Sequence, residues 1–376
     1  MFEMSNVALF FRREPSAGRP RLRGKEDLNR KFVERVFRRK RILSAFVALS
    51  ILIGIPLYHW RFDKWFIKVR MQASIGIYTA RDPFRWQPAE GISNPVLTAD
   101  DVTDFDAEIV ADPFMAREGN AWYMFFEVAN DRRAEIALAT SEDGLRWTYR
   151  QVVIREPFIT SFPYVFKWQD EYYMILETHE ANAIRLYKAD SFPTRWSFAG
   201  ELLKGMYVDP AIVRYEDKWW LFAADVLGND TLRLFYADDL KGPWVEHPRS
   251  PVVSGDDRIA RPGGRVIVYE NKVVRYPQDD SGFYGRAVRA FVIDELSATE
   301  YREHEAEVSP ILEGSARWFT WAGWNAKGMH NIDPHQLGPD KWIACVDGFY
   351  KRHYVTWGPL RPWLNSLKQS FGFESP

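Results

Sequence analysis

The stretch Leu138–Tyr149, LATSEDGLRWTY, is an apolar run, a turn of Ser, Glu, Asp and Gly, and then a tryptophan that opens a new run. The same order returns in LYKADSFPTRWSF at Leu186–Phe198 and in LFYADDLKGPWVE at Leu234–Glu246. Trp147, Trp196 and Trp244 thus recur about every 48 residues, the period of a four-stranded propeller blade. Ahead of each copy lies an aromatic run: NAWYMFFE (120–127), DEYYMILE (170–177) and DKWWLFAAD (217–225). Their alternation and aromatic content are those of strands rather than helices.

A fourth unit runs from ARPGGRVIVYENKVVRYP (260–277) through RAVRAFVIDEL (286–296), and a fifth contributes HNIDPHQLGPDKWIACVDG (330–348). The fifth lacks its outer strands. The segment IGIYTARDPFRWQPAEGISNPVLT (75–98) has the same strand, turn and tryptophan (Trp86) and supplies them. The chain therefore reads as all-β, a five-bladed β-propeller over residues 74–352 whose last blade joins both ends of the domain. Such closure removes the exposed sheet edge that a linear array would leave.

With 376 residues, 46% of them hydrophobic and 27% charged, the chain can bury a large core. A net charge of −1 gives no overall basic excess for nucleic acid. A single cysteine, Cys345, excludes a disulfide framework and a cysteine-based zinc site. Residues 42–60, ILSAFVALSILIGIPLYHW, hold no Asp, Glu, Lys or Arg and come near the ~20 residues that span a bilayer. They read as one transmembrane helix. The basic run RVFRRKR just before it places residues 1–41 in the cytoplasm and the propeller outside. A cleaved signal peptide is the rival, but its basic region would be long and no small-residue cleavage site follows Trp60. Residues 61–73 read as a juxtamembrane linker and 353–376 as a surface tail.

One dipeptide opens three of the five units: Asp112-Pro113, Asp209-Pro210 and Asp333-Pro334. In the other two, SFPY (161–164) and ARPGG (260–264) take its place. Innermost propeller strands line the central channel, so the three aspartates are expected in one axial pocket. A proline tolerated at a strand start beside a turn-capping aspartate is the structural alternative for any one copy. Three convergent carboxylates favour function, because they repel unless a ligand uses them.

The motifs VADPF, WYMFFE, GGR, QDD…YGR and IDPH resemble the N-terminal domain of plant glucosamine inositolphosphorylceramide transferases and their bacterial relatives. More distantly, the Asp-Pro openings resemble the five-bladed propellers of glycoside hydrolase family 43. That resemblance implies Asp112 as the base that activates water and Asp209 as the residue that tunes the acid. Where that family places its proton-donating Glu, opening the fourth blade, this chain has Arg261.

Arginine does not give up its proton, so another acid is needed. Glu127 in FFEV and Glu177 in ILETH end inner strands and are the candidates; the alternative is that they pair with Arg261 or Arg265. Arg261 in a carboxylate-lined pocket also suits a phosphate or uronate. Gln278, Asp279 and Tyr284 lie where a loop could hold sugar hydroxyls, or form an ordinary polar turn. His330 and His335 flank Asp333, with too few further ligands in sequence to argue for a metal. His330 reads as an acid/base or hydroxyl contact instead. Trp219, Trp220, Trp321 and Trp324 are blade core before they are sugar platforms. No cofactor is indicated. The expected partner is a carbohydrate or glycolipid, acted on by a membrane-held hydrolase or transferase, or bound by a non-catalytic glycan-binding propeller.

Overall fold

The structure, a computed structural model, describes residues 67–315 and 323–355 together with positions 49, 50 and 53. The expected membrane span at 42–60, apart from those three positions, lies outside the described residues, as do the basic segment before it, most of the tail and Trp321. No helix among the described residues is long and apolar enough to cross a membrane.

The described chain is all-β, with two short 3-10 turns. Three successive antiparallel meanders are formed by Ile109–Glu118 to Thr148–Ile154, by Ser161–Trp168 to Arg195–Lys204, and by Tyr207–Tyr215 to Val245–Glu246. In the fourth blade the ladder is broken. Ile267–Tyr269, Lys272–Arg275, Phe291–Leu296 and Tyr301–Glu305 form one sheet, while Gln278–Asp279, Ala287–Val288 and Leu312–Glu313 continue the same chain directions as a second. Arg275 and Gln278 are separated only by Tyr276 and Pro277, and Pro277 bridges back to Pro262. The proline without an N–H is where the ladder parts.

The fifth blade has the order Gln87–Pro88, Ile67–Ala80, Lys341–Val355, Ile332–Gly338, so strands from both ends of the domain lie side by side. This is the expected closure. Ile67–Ala80 begins inside the segment read as a linker, and its continuation to Ile75, Ile77 and Leu97 packs against the first blade. The inner strands follow one another around a ring: Ile332–Gly338 beside Ile109–Glu118, then Ser161–Trp168, then Tyr207–Tyr215. Tyr164 ties the next step by donating its hydroxyl to the Ile212 and Val266 carbonyls. The ring closes where Gly264 bridges Ile332 in parallel.

The recurring tryptophan has a local cause. Trp86, Trp147 and Trp196 each donate the indole N–H to the carbonyl three residues earlier, at Pro83, Gly144 and Pro193. Asp82 and Asp143 accept the backbone N–H groups of the same turns. These three tryptophans therefore staple the turn between the third and fourth strands, while the Trp244 indole N–H is buried without a partner among the described residues. The partly buried ring of each packs on the core between blades, where each large apolar side chain removed from water contributes about 1.5–3 kcal/mol. Trp219 and Trp220 are buried in that core, and Trp324 packs against it.

Gly264 has φ 149, and a Cβ there would lie 1.8 Å from the Ile332 carbonyl oxygen. Gly264→Ala is therefore expected to lower stability by about 2 kcal/mol or more, as the fourth and fifth blades are forced apart. The urea midpoint measures it; an unchanged midpoint means these blades do not close on each other.

Candidate active site

The inner strands start with an irregularity. Between Ala111 and Phe114, Ser161 and Tyr164, and Val208 and Ala211 the register with the second strand slips. The residue inside each slip is left-handed: Asp112 at φ 50, Phe162 at φ 49, Asp209 at φ 49. Each precedes a proline, which disfavours helical conformations in the residue before it. A non-glycine residue held in this region costs about 1–3 kcal/mol. The bulges turn Asp112 and Asp209 off the sheet and toward the axis.

Around them stand Glu127, Glu177, Arg261, Gln278, Tyr284, His330 and Asp347. Arg261 donates its Nε to Asp209 Oδ2 at 2.6 Å and an Nη to Asn229 Oδ1 at 3.0 Å, with Glu177 at 3.9 Å. Gln278, fully buried, donates to the same Asp209 oxygen at 2.6 Å and to the Pro262 carbonyl at 2.8 Å. Tyr284 lies 5.2 Å from the Arg261 guanidinium and 5.3 Å, edge-on, from the His330 ring. Phe349 covers the same imidazole at 4.6 Å.

His330 sits between two carboxylates, with Nδ1 2.8 Å from Asp347 Oδ1 and Nε2 3.3 Å from Asp112 Oδ1. Burial works against its charge, but Asp347 and Asp112 outweigh it and hold its pKa at about 9. Burial raises Asp112 to about 6, against the pull of the His330 cation. Asp112, His330 and Asp347 each offer an atom within 4.8 Å of the others, a spacing a metal ion can use. His330 Nδ1 is hydrogen-bonded to Asp347 and Nε2 stands in ion-pair range of Asp112, so the imidazole links the two carboxylates.

Glu127, Glu177 and Asp347 occupy one position of the blade repeat, five residues after Trp122, Tyr172 and Trp342. Asp347 and Glu177 each accept the N–H of the bulged aspartate in the next blade, Asp112 and Asp209, at 3.1 Å. Burial alone would raise Glu177; its hydrogen bond from His179, the Arg261 charge and the Asp209 N–H hold it below the usual carboxylate range. The next blade after Glu127 carries Phe162 instead of aspartate, and Glu127 makes no hydrogen bond or ion pair among the described residues. Desolvation and the charges of Asp112 and Glu177 push Glu127 well above the usual range.

Several expected ligand contacts lie elsewhere. Asp333 has no bulge: it pairs in register with Cys345 and is fully buried. Its carboxylate takes Arg265, His335 and the Met115 N–H, one level below the pocket. Arg265 reaches on to the Met115 and Val165 carbonyls. Both residues are thus a strut across the axis. Asp279 is clamped by Arg289 at 2.6 Å and by Ser281 inside the fourth blade. The anionic ligand expected at Arg261 is disfavoured as well, since that guanidinium already faces Asp209 and Glu177 and the surrounding carboxylates outnumber Arg261 and His330. Sequence reading missed Asp347, Asn229 and His179. Asp347 was within reach by aligning its blade position with Glu127 and Glu177.

An apolar groove of about 500 Å³ is lined in part by Tyr284 and Phe349, the two rings that contact His330. Met71, Ile109 and Phe283 line it, with Lys327 and Lys351 at its edge.

The fold and site define an all-β, propeller-like protein with a carboxylate-lined axial pocket. In fold it is similar to β-1,2-mannobiose phosphorylase from Listeria innocua, with a TM-score of 0.52 at 16% identity over 72% of this chain and 96% of that one. The sequence assigns it further. Residues 71–349 match the family described as glucosamine inositolphosphorylceramide transferase 1, N-terminal, and the chain belongs to that family. It is 33% identical over 298 residues to glucosamine inositolphosphorylceramide transferase 1 of Oryza sativa subsp. japonica and to that of Arabidopsis thaliana. The match covers 73% of this chain but only 40% and 38% of those proteins.

The His330 shift sets a pH dependence. A group raised from 6.5 to about 9 on folding contributes stability that is complete below pH 6.5 and lost as pH rises through 9. Asp112, raised from 3.8 to about 6, acts in the same direction between those values. Wild type minus His330→Gln stability, from urea melts at several pH values, should therefore shrink between pH 6.5 and 9. A difference flat across that window refutes the imidazolium.

Proposed function

We propose that the axial pocket cleaves or transfers a glycosyl unit of a glycan or glycolipid, with Asp112 as base and Glu127 as proton donor. The observation that carries this reading is Glu127: of the three acids at that blade position, its side chain alone has no donor among the described residues, and burial pushes its pKa well above the usual carboxylate range. Asp112, ionised above about pH 6, takes the proton of the attacking water or acceptor hydroxyl. Glu127 delivers its own to the leaving oxygen. Asp209, gripped by Arg261 and Gln278, lies beside the reacting centre, where burial pushes its carboxyl well above the usual range against the pull of the Arg261 charge.

The names of the plant relatives point to a glucosamine unit and an inositolphosphorylceramide. The excess of carboxylates suits a sugar bearing an ammonium group. The adjoining apolar groove, with lysines at its edge, suits the chain and phosphate of such a lipid. An anchor at 42–60 would hold the propeller outside the cytoplasm, at the membrane that carries the substrate. The second reading, a glycan-binding propeller without catalysis, rests on Arg261 standing where family 43 hydrolases carry their acid.

The test incubates the full chain in lipid vesicles with glucosaminylated inositolphosphorylceramide, or with glucosamine glycosides, and follows release or transfer of the sugar by mass spectrometry. Asp112→Asn and Glu127→Gln should each lower turnover about 10²–10⁴-fold while leaving the thermal midpoint within a few degrees. Wild-type kcat/KM should rise through about pH 6 as Asp112 ionises. Turnover that survives both substitutions ends the catalytic assignment. Sugar binding without turnover in the wild type moves the reading to the binding module.

A further inference from the structure

The Asp347 carboxylate is wholly buried, and four donors converge on it. The backbone N–H of Asp112 reaches one oxygen at 3.1 Å; those of His330 and Asn331 reach the other at 3.1 Å each. His330 Nδ1 completes the set at 2.8 Å. We propose that Asp347 is a positioning residue, which pins the left-handed backbone of Asp112 and orients the His330 ring so that Nε2 faces the Asp112 carboxylate.

Asp112 at φ 50 before Pro113 is unfavourable by itself, and such a conformation persists only where its surroundings over-determine it. The register slip takes its N–H out of the ladder of its own blade. A buried N–H without a partner would add about 1–3 kcal/mol to that cost. The acid of the neighbouring blade accepts it, so the bulge is stable only with the ring closed. The chain uses the device twice: Asp209, at φ 49, gives its N–H to Glu177. Phe162 has the same backbone turn but no carboxylate to aim, and there Glu127 stays free.

With Nδ1 bonded to Asp347, the tautomer and ring plane are set, and only Nε2 is left to face the pocket. The groups that bear on His330 are Asp347 and Asp112 on its two nitrogens, Asp209 and Asp280 in the same pocket, and the Tyr284 and Phe349 rings on its faces. The Glu127 charge bears on it directly, and Glu177 and Arg261 act on its partner Asp112. No other carboxylate touches Nδ1 among the described residues. Loss of the Asp347 charge therefore removes the anionic partner of Nδ1, weakens the hold on the Asp112 N–H and takes away a charge that raises the Asp112 carboxyl. The proposal depends on the catalytic reading only for its effect on turnover; its spectroscopic consequences stand without it.

The experiment uses the full chain, reconstituted in nanodiscs and labelled with 15N-histidine, with the His330 signals assigned through His330→Gln. In the wild type both His330 nitrogens should be protonated at pH 7.5. Asp347→Asn should lower the His330 midpoint by at least one pH unit and speed hydrogen exchange at the Asp112 amide at least tenfold, and Asp347→Glu should restore part of both. If a glycosyl substrate is in hand, kcat should fall with KM little changed. A neutral His330 in the wild type, or Asp347→Asn with unchanged titration and exchange, overturns the proposal whatever turnover does. If Asp347→Asn does not fold, Glu177→Gln tests the repeated device: exchange at the Asp209 amide should rise at least tenfold, and no change there overturns it.

Discussion

Four blades meet at one guanidinium. Arg265, from the fourth blade, holds Asp333 of the fifth, the Met115 carbonyl of the first and the Val165 carbonyl of the second. A buried ion pair of this kind is not a net source of stability by itself, but losing either partner costs about 3–5 kcal/mol, because a charge is stranded. Here the satisfied charge has a geometric role. It pins the inner strands at a common level, with the Phe114 and Tyr164 rings packed around the guanidinium. The pocket above depends on that level, since Asp112 stands at the start of the inner strand that Arg265 holds at Met115.

Two layers of charge follow, with different chemistry. In the lower one each acid has its cation, and burial has no unpaired group to penalise. In the upper one six acids, Asp280 among them, face one arginine and one imidazolium. Burial, with the charges of neighbouring acids, raises Asp112, Asp209 and Glu127, while Glu177, with His179 and Arg261 beside it, stays low. Environments that push neighbouring acids apart in this way separate a base from an acid at one pH.

Symmetry explains both layers. Each blade offers the axis one residue from the start of its first strand and one from the end of its second. Where the first strand bulges, its residue turns into the pocket; where it does not, as at Asp333, the same dipeptide turns down into the strut. An acid at the end of the second strand either holds the next bulge, as Asp347 and Glu177 do, or is left free, as Glu127 is.

The repeat, the strands and the closure by both chain ends were legible in the sequence, because Trp-stapled turns and alternating aromatics are local features that survive in one dimension. So was the company of Asp112, Asp209, Glu127, Glu177, Arg261, Gln278, Tyr284 and His330, since the blade period predicts which residues face the axis. What the sequence could not show was which way each turns. Asp333 carries the same Asp-Pro as Asp112 and points elsewhere, because a register slip against the neighbouring strand, and not the dipeptide, sets the direction. Asp347 went unread for a related reason: its partners lie 235 and 17 residues away, joined to it only when the ring closes. Direction and pairing at the axis are properties of five blades meeting, and only the tertiary structure decides them.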